Sequence, residues 1–378
     1  MLETLFPHDH RDHWRTLRVV HHAPDKDLLM LGLYSALHQL KAEGLLDGFY
    51  LQRHWLNGPQ VQVHVRPFPG QEEQVRERLI THASTLVEQG SPLELDETTY
   101  LKKYAQTAAA ELVTDPLLPL YPSGTVLWGP LLMRERMFGG EFNARVARSF
   151  FASTQSVLEV ALQPEVASRG KLMQFARWMF GFAGAFRGLG EDQYCSTTSV
   201  ALSFRSHAEA YYHNGGNALR SQFEAKYTAC QDVLQKAYQE ATTDPAPDLR
   251  WLIQNLRSAY QWLFQARLTG EMVMPTLQDY EGLKPQVAEG AEFREYSFSP
   301  GHQELADPDS ELSRLLREPE VEVRRLLINL LYNHLVTAGA RPLDRFFLCE
   351  MVARTIEEAH RGQDIVYPRP RPVAAEMR

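Results

Sequence analysis

The spacing of apolar positions changes period several times within the first ninety residues. Trp14 to His22 alternates, with Leu17 and Val19 on one side, which predicts a strand. From Asp27 to Glu43, Leu29, Leu33, Leu37 and Leu40 recur at helical spacing, and Gly44 supplies a stop. Gly48 to Trp55 and Gln60 to Phe68 alternate again, separated by Asn57-Gly58-Pro59, so the two runs predict a hairpin. Glu72 to Gln89 returns to the helical period.

Beyond this the chain reads as mainly helical. Residues Phe142 to Leu162, Gly170 to Phe186, Asn217 to Ala241, Leu249 to Glu271, Glu320 to Thr337 and Leu343 to His360 all carry apolar residues at helix period. One interruption is expected. Val200, Leu202 and Phe204 alternate within Ser196 to Arg205, which predicts a strand. It runs into Ser206-His207-Ala208-Glu209, a Ser-x-x-Glu capping box, so a strand-to-helix corner is expected at Ser206. Loops are expected at 114–122, 187–194 and 272–308, and the proline-rich residues 366–378 as a disordered tail. The fold class is therefore α+β, a small antiparallel or mixed sheet near the N-terminus with a predominantly helical remainder. We expect one domain over 1–365, mixed over 12–125 and helical over 126–365.

Composition narrows the function. With 378 residues, 44% of them hydrophobic, the chain can bury a sizeable core. A net charge of -8 argues against gripping phosphate backbones, so no nucleic-acid partner is expected. Cys195, Cys230 and Cys349 are odd in number and far apart, which gives neither a disulfide framework nor metal spacing and fits a reducing cytoplasm. No targeting segment and no apolar run near the ~20 residues of a membrane span is present, so a cytoplasmic protein without a membrane partner is expected. His8, Asp9, His10 and His13 lack downstream ligands to complete a tetrahedral set, so no metal is expected. Gly139-Gly140 and Gly184, Gly188 and Gly190 lack a phosphate-loop pattern, and no Gly-x-Ser-x-Gly elbow occurs. No cofactor is expected.

Four places carry candidate chemistry. Period two puts Gln60, Gln62, His64 and Arg66 on one face of a strand and Val61, Val63 and Val65 on the other, with Arg53 and His54 on the preceding strand. Such a polar face binds a peptide or simply faces water. The corner at Ser206 places His207 at the first helical position, where free N–H groups favour developing negative charge. Glu209, Tyr211, Tyr212 and His213 follow within two turns. His334 shares a helix face with Leu327, Leu330, Leu331 and Leu335, as a core residue or a catalyst. Glu350 continues the stripe Leu343, Phe346 and Phe347 and needs a cation, for which Arg324, Arg325 and Arg345 are in range.

These segments, in this order, resemble one family. Trp14-Arg-Thr-Leu-Arg-Val-Val-His-His22, then Gly48-Phe-Tyr-Leu-Gln-Arg-His-Trp-Leu-Asn-Gly-Pro-Gln-Val-Gln-Val-His-Val-Arg66, is similar to a motif that reads aromatic-aromatic-x-Arg and then Gly-Gly-Pro-His-x-Arg-x-Arg. Leu132-Met-Arg-Glu-Arg-Met-Phe-Gly-Gly140, followed by Ser149-Phe150-Phe151, resembles its Tyr-x-x-Glu-x-x-x-Tyr-Gly-Gly segment. Asn329-Leu-Leu-Tyr-Asn-His-Leu-Val-Thr-Ala-Gly339 and Asp344-Arg-Phe-Phe-Leu-Cys-Glu350 resemble its closing helices. The family is that of lantibiotic-dehydratase C-terminal, thiopeptide-type bacteriocin biosynthesis proteins, and the resemblance spans about residues 12 to 360.

The resemblance implies an enzyme acting on a leader-bearing ribosomal peptide. Full-length dehydratases of the family carry a glutamylation domain that uses glutamyl-tRNA, which 378 residues are too few to hold. Stand-alone members either eliminate glutamate from glutamylated Ser or Thr, or join two dehydroalanines in a formal [4+2] cycloaddition that expels the leader and leaves a pyridine. Gln60-x-Gln62-x-His64 replaces His-x-Arg-x-Arg, which removes cations suited to a glutamyl carboxylate. Together with Ser203-Phe-Arg-Ser-His-Ala-Glu209, this favours the pyridine-forming branch. On that reading Tyr212 or His207 favours the iminol tautomer, and His207, Ser206 and His64 are acid and base. Arg53, Gln62, Arg136, Tyr211 and His334 line the substrate site. On the elimination reading Arg53 acts with His64 or His334. A non-catalytic precursor-binding partner is the third reading. The implied partners are the precursor peptide, with leader and modified core, and the other enzymes of its pathway, and a homodimer is left open.

Overall fold

The computed structural model describes residues 13–90, 93–110, 113, 115–133, 135–213, 216–274, 307, 309–362 and 368–371. The chain divides into two compact units. Unit 1 takes Met1–Ala167, Pro275–Tyr296 and Val336–Gly339, and unit 2 takes Ser168–Met274, Ser297–Leu335 and Ala340–Arg378.

Unit 1 is built on four antiparallel strands, β1 (Arg15–Val20), β2 (Leu46–His54), β3 (Gln60–Pro67) and β4 (Val126–Pro130), in the order β2-β3-β1-β4. The register Leu17↔Val63 and Leu51↔Val63 aligns Leu17, Val19, Leu51, Val61, Val63 and Val65 on one face. Helix α1 (Asp27–Ala42) lays Met30, Leu33 and Leu37 on that face, and α2 (Glu72–Glu88) adds Val75 and Leu79. Each of these side chains is buried, and burying one fully contributes about 1.5–3 kcal/mol before entropy is counted. Helix α3 (Glu97–Ala110) buries Tyr100 against Trp55 and Leu56 beside the hairpin. Its start is capped by Asp96, whose Oδ1 accepts from Thr99 N at 2.9 Å.

The short α4 (Glu135–Phe138), α5 (Glu141–Ser153) and α6 (Gln155–Leu162) complete the described part of unit 1. The single helix expected over Phe142 to Leu162 is two, because Thr154 leaves helical geometry at φ -108° and ψ 13°. Its Oγ1 donates to Phe150 O at 2.6 Å, a local bond that competes with the helical ladder. Gln155 then closes the edge of the sheet. Its Oε1 accepts from Leu51 N at 2.9 Å and from Tyr34 Oη at 2.6 Å.

Unit 2 is helical: the part of α7 (Pro164–Ala185) from Ser168 on, then α8 (Asp192–Cys195), α9 (Thr197–His213), α10 (Arg220–Thr243), α11 (Pro247–Thr269), α12 (Glu311–Leu316), α13 (Pro319–Thr337, of which the last two residues fall to unit 1) and α14 (Pro342–Ala359). Its core holds Trp178, Phe182, Phe204, Leu256, Leu263, Leu327, Leu331 and Val352. Helix α9 runs along α14, which also receives α10.

Two expectations are corrected here. Ser196 to Arg205 is not a strand, and Ser206 is not a corner. The helix begins ten residues earlier, where Ser196 is extended (φ -69°, ψ 156°) and its Oγ accepts from Ser199 N at 3.2 Å. Val200, Phe204 and Ala208, buried at four-residue spacing, are the stripe that the alternation concealed. The small α8 also overlaps the end of the segment expected as a loop over 187–194. The sheet near the N-terminus and the helical remainder are as expected, and the sheet is antiparallel throughout. No described helix is long and apolar enough to cross a membrane.

Candidate functional site

Four of the nine sequence-derived site residues belong to unit 1 and five to unit 2. In unit 1 the polar face of β3 neither faces water nor stands open. Gln60 and His64 are fully buried and Gln62 nearly so. Gln60 accepts from Arg18 Nε at 2.8 Å and donates to Leu56 O at 2.6 Å. His64 stacks on Tyr50 with centroids 4.3 Å apart, and Tyr50 packs on Phe151 of α5. Its Nδ1 lies 3.0 Å from Thr16 Oγ1, which accepts from Leu132 N at 3.0 Å. Its Nε2 is buried with no hydrogen-bond partner among the described residues. Burial, helped by the charges of His54 and Arg148, holds the imidazole down to about 3, so it is neutral at pH 7.

Arg53 is occupied. It forms an ion pair with Asp27 at the start of α1, and its Nε donates to Thr337 O at 2.8 Å. Arg136 lies on α4, and its side chain is outside the described residues. His8, Asp9 and His10 lie outside them too. Among the described residues no group of three His, Cys, Asp or Glu side chains is placed to hold a metal ion.

In unit 2, α9 and α14 bring a second group together. His207, one turn after Ser203, donates from Nδ1 to Ser203 O at 2.7 Å, since a carbonyl only accepts. That bond makes Nε2 the nitrogen that takes or gives a proton. The ring meets Tyr332 edge-on at 5.2 Å. Tyr211, four residues on, lies on Phe346 of α14 at 4.6 Å and 14°. Arg345 stands over Tyr332 at 5.2 Å and over Phe346 at 4.9 Å. Its Nε is buried without a hydrogen-bond partner, and no described carboxylate pairs with it. Tyr332 is buried, with its hydroxyl 3.3 Å from Cys349 Sγ, and burial raises its pKa well above the usual phenol range. The result is an imidazole and a guanidinium set among three aromatic rings.

Tyr212 belongs to the neighbouring face. It is buried beside Phe223, and Arg220 stands 4.4 Å over its ring. Burial, then the nearby Glu350, raises its pKa, so the hydroxyl stays protonated and acts only as a donor or acceptor. Ser206 is exposed in mid-helix, away from any helix start. His334 is a core residue, buried and tilted against Trp178 at 6.5 Å, and burial holds it down to about 3.

Arg345 was read from sequence as one of three partners for Glu350. The structure gives that role to Arg205, whose Nη1 donates to Glu350 Oε2 at 2.6 Å while Nη2 holds Glu357 at 2.7 Å. This releases Arg345 for the aromatic group, together with Tyr332. A sequence signal existed for Arg345, which lies four residues before Cys349 at helical spacing, but nothing in the pattern said which arginine Glu350 would take.

The family model for the lantibiotic biosynthesis dehydratase C-terminal domain matches residues 14–356. Among solved structures, the chain is similar to the pyridine synthase TbtD from thiomuracin biosynthesis (TM-score 0.68, 22% identity, 92% of this chain and 99% of that one). It is also similar to TsrL (TM-score 0.65, 17% identity, 92% and 95%). At these identities the two structures speak for a shared fold. No curated protein matches the chain.

Proposed function

Because the chain belongs to the lantibiotic biosynthesis dehydratase C-terminal family, we propose that it is a ribosomal-peptide biosynthesis enzyme that forms a pyridine from two dehydroalanines. The observation that carries the reading is the group on α9, α13 and α14: His207, Tyr211, Tyr332, Arg345 and Phe346, with aromatic walls and a guanidinium that no described carboxylate holds. Resemblance to the fold of a pyridine synthase supports it.

The chemistry asks for little beyond positioning and proton transfer. One dehydroalanine and the iminol form of the preceding amide make the four-atom azadiene, and the second dehydroalanine is the two-atom partner. Bonds form between the two β-carbons and between the iminol carbon and the partner's α-carbon. Loss of water from the former amide carbon, then of the leader as its terminal carboxamide, leaves the aromatic ring. Flat apolar walls hold flat unsaturated residues and exclude water, and pre-organisation of this kind supplies several kcal/mol of barrier lowering. In the proposal Arg345 donates to the amide oxygen as it becomes iminol, and His207 Nε2 moves the proton and returns it to the departing water. Tyr211, stacked on Phe346, presents a flat aromatic wall to the diene, and Tyr212 is a hydroxyl donor at the margin. No step is assigned to Ser206, His64, Gln62, Arg53, Arg136 or His334.

A second reading has its own support in Arg345. A guanidinium that no described carboxylate holds, over the same Tyr332 ring that the imidazole meets, also suits glutamate elimination, with His207 removing the α-proton and Arg345 holding the leaving carboxylate. Mass spectrometry of two incubations separates them. A leader-bearing peptide with two dehydroalanines loses water and leader under the cycloaddition reading. Its Ser-glutamylated form loses glutamate and keeps its leader under the elimination reading. Two unchanged substrates, with the correct precursor, would leave a precursor-binding partner as the function.

A further inference from the structure

Residues 368–371, Pro-Arg-Pro-Arg, lie against unit 2 in a way that reads both side chain and main chain. Arg371 Nη2 donates to Glu191 Oε1 at 2.8 Å and Glu320 Oε1 at 2.6 Å, and Nη1 to Glu318 Oε2 at 2.5 Å and Glu320 Oε2 at 3.1 Å. Nε adds Glu191 at 3.2 Å, and the guanidinium sits 4.9 Å over the Tyr194 ring. The backbone is gripped separately. Arg371 N donates to Glu318 Oε1 at 2.6 Å, Arg369 N to Gln193 Oε1 at 3.4 Å, and Arg369 O accepts from Tyr194 Oη at 2.6 Å.

The receiving surface is built for a cation. The Glu318 and Glu320 side chains are only 10% and 4% exposed, so both carboxylates have left most of their water. Three carboxylates face one guanidinium, and removing it would leave two desolvated anions side by side. The fork of donors, the ring beneath it and the backbone contacts two residues apart select an arginine in an extended segment. A lysine would make neither the bidentate contacts nor the stacking. A proline-spaced segment loses little entropy on being held extended.

We propose that this groove is a docking site for an arginine-bearing, extended segment of the precursor peptide's leader, and that the chain's own residues 368–371 occupy it as an intramolecular stand-in. The inference rests on the reading that the substrate is a peptide. A tethered stand-in has a high effective concentration, so the groove discriminates against weak segments and opens to one that offers more contacts than the four tail residues do.

The test uses the full-length chain and a fluorescent peptide of residues 367–373, Tyr-Pro-Arg-Pro-Arg-Pro-Val, followed by anisotropy. With Arg371→Ala in the protein the peptide binds about tenfold or more tighter than to the unmodified chain. Adding Glu320→Gln removes that gain, and so does lysine for arginine in the peptide. The cognate leader displaces the peptide, and a leader with its arginines changed to glutamine does not. Equal binding with and without Arg371→Ala, or a leader that fails to compete, would overturn the proposal. If Arg371→Ala does not unfold cooperatively, excess peptide added to the unmodified chain must raise amide exchange at residues 369 and 371, and unchanged exchange has the same negative meaning. Binding is read without turnover, so an inactive protein that binds counts only against the proposed reaction.

Discussion

A Cβ built on Gly216 would lie 2.3 Å from Cε1 of Tyr211, so the aromatic ring fills the space where any other residue would begin. Gly216 opens the short 3-10 turn that follows α9, and Tyr211 is the ring that lies on Phe346. The glycine therefore sets the position of one wall of the proposed site. Gly216→Ala must push the ring off Phe346 or distort the turn, at about 1–3 kcal/mol for overpacking. We expect kcat/KM for the dehydroalanine peptide to fall with a smaller loss in urea midpoint. Full turnover in this variant would take Tyr211 out of the site.

Arg345 gives a sharper test, because it stacks on two rings without a described carboxylate to release. Replacing it with methionine keeps much of the packing and removes the donors, so stability changes little. Replacement with lysine restores charge but not the planar fork. Both variants should lose about tenfold or more in kcat, with Arg345→Lys no better than partly active. If single-turnover mass spectrometry shows both as fast as the parent chain, Arg345 is a packing residue.

Histidine titration provides a stability signature. Burial holds His64 and His334 at about 3, below the ordinary 6.5, so on acidification the unfolded chain takes up protons first. The stability tied to their neutral forms is complete above pH 6.5, is lost as pH falls from 6.5 towards 3, and is constant below that. Each contributes a slope of up to ~1.4 kcal/mol per pH unit in that window. Urea unfolding at pH 7, 6 and 5 should show the decline, and His64→Gln should make it shallower. An unchanged slope would mean that His64 is hydrated enough to titrate normally.

What the sequence disclosed, and what it withheld, follows from how local each signal is. The hairpin was legible because Asn57 and Gly58 need positive φ, here 59° and 120°, and few residues supply it. The corner at Ser206 was misread because Val200 and Phe204 satisfy a four-residue period as well as a two-residue one, and the capping-box pattern at Ser206 outweighed Ser196, the serine that accepts from Ser199 N. Strand β4, five residues ending Gly129-Pro130, has no buried alternation to announce it. Period two separated the faces of β3 correctly, yet nothing local said that Tyr50, stacked on His64 and packed on Phe151 of α5, would bury the polar one. The partner of Glu350 depended on α9 reaching α14, a tertiary fact that spacing along α14 does not contain.

That same pairing yields a contrast between two arginines on facing helices. Arg205 holds Glu350 and Glu357, and the Glu350 side chain is 12% exposed, so removing the cation strands a largely buried carboxylate. Arg205→Met should cost about 3 kcal/mol, at the low end for a broken buried pair because Arg205 itself is partly exposed. Adding Glu350→Gln should recover part of it, since a neutral amide no longer needs a counter-ion, and the double variant should regain activity with stability. Arg345→Met should behave oppositely, stable and slow. Denaturant titrations and turnover of all four proteins, compared in one buffer, decide between the roles. If Arg205→Met proves stable and inactive while Arg345→Met proves unstable, the structural and chemical arginines have been assigned the wrong way round.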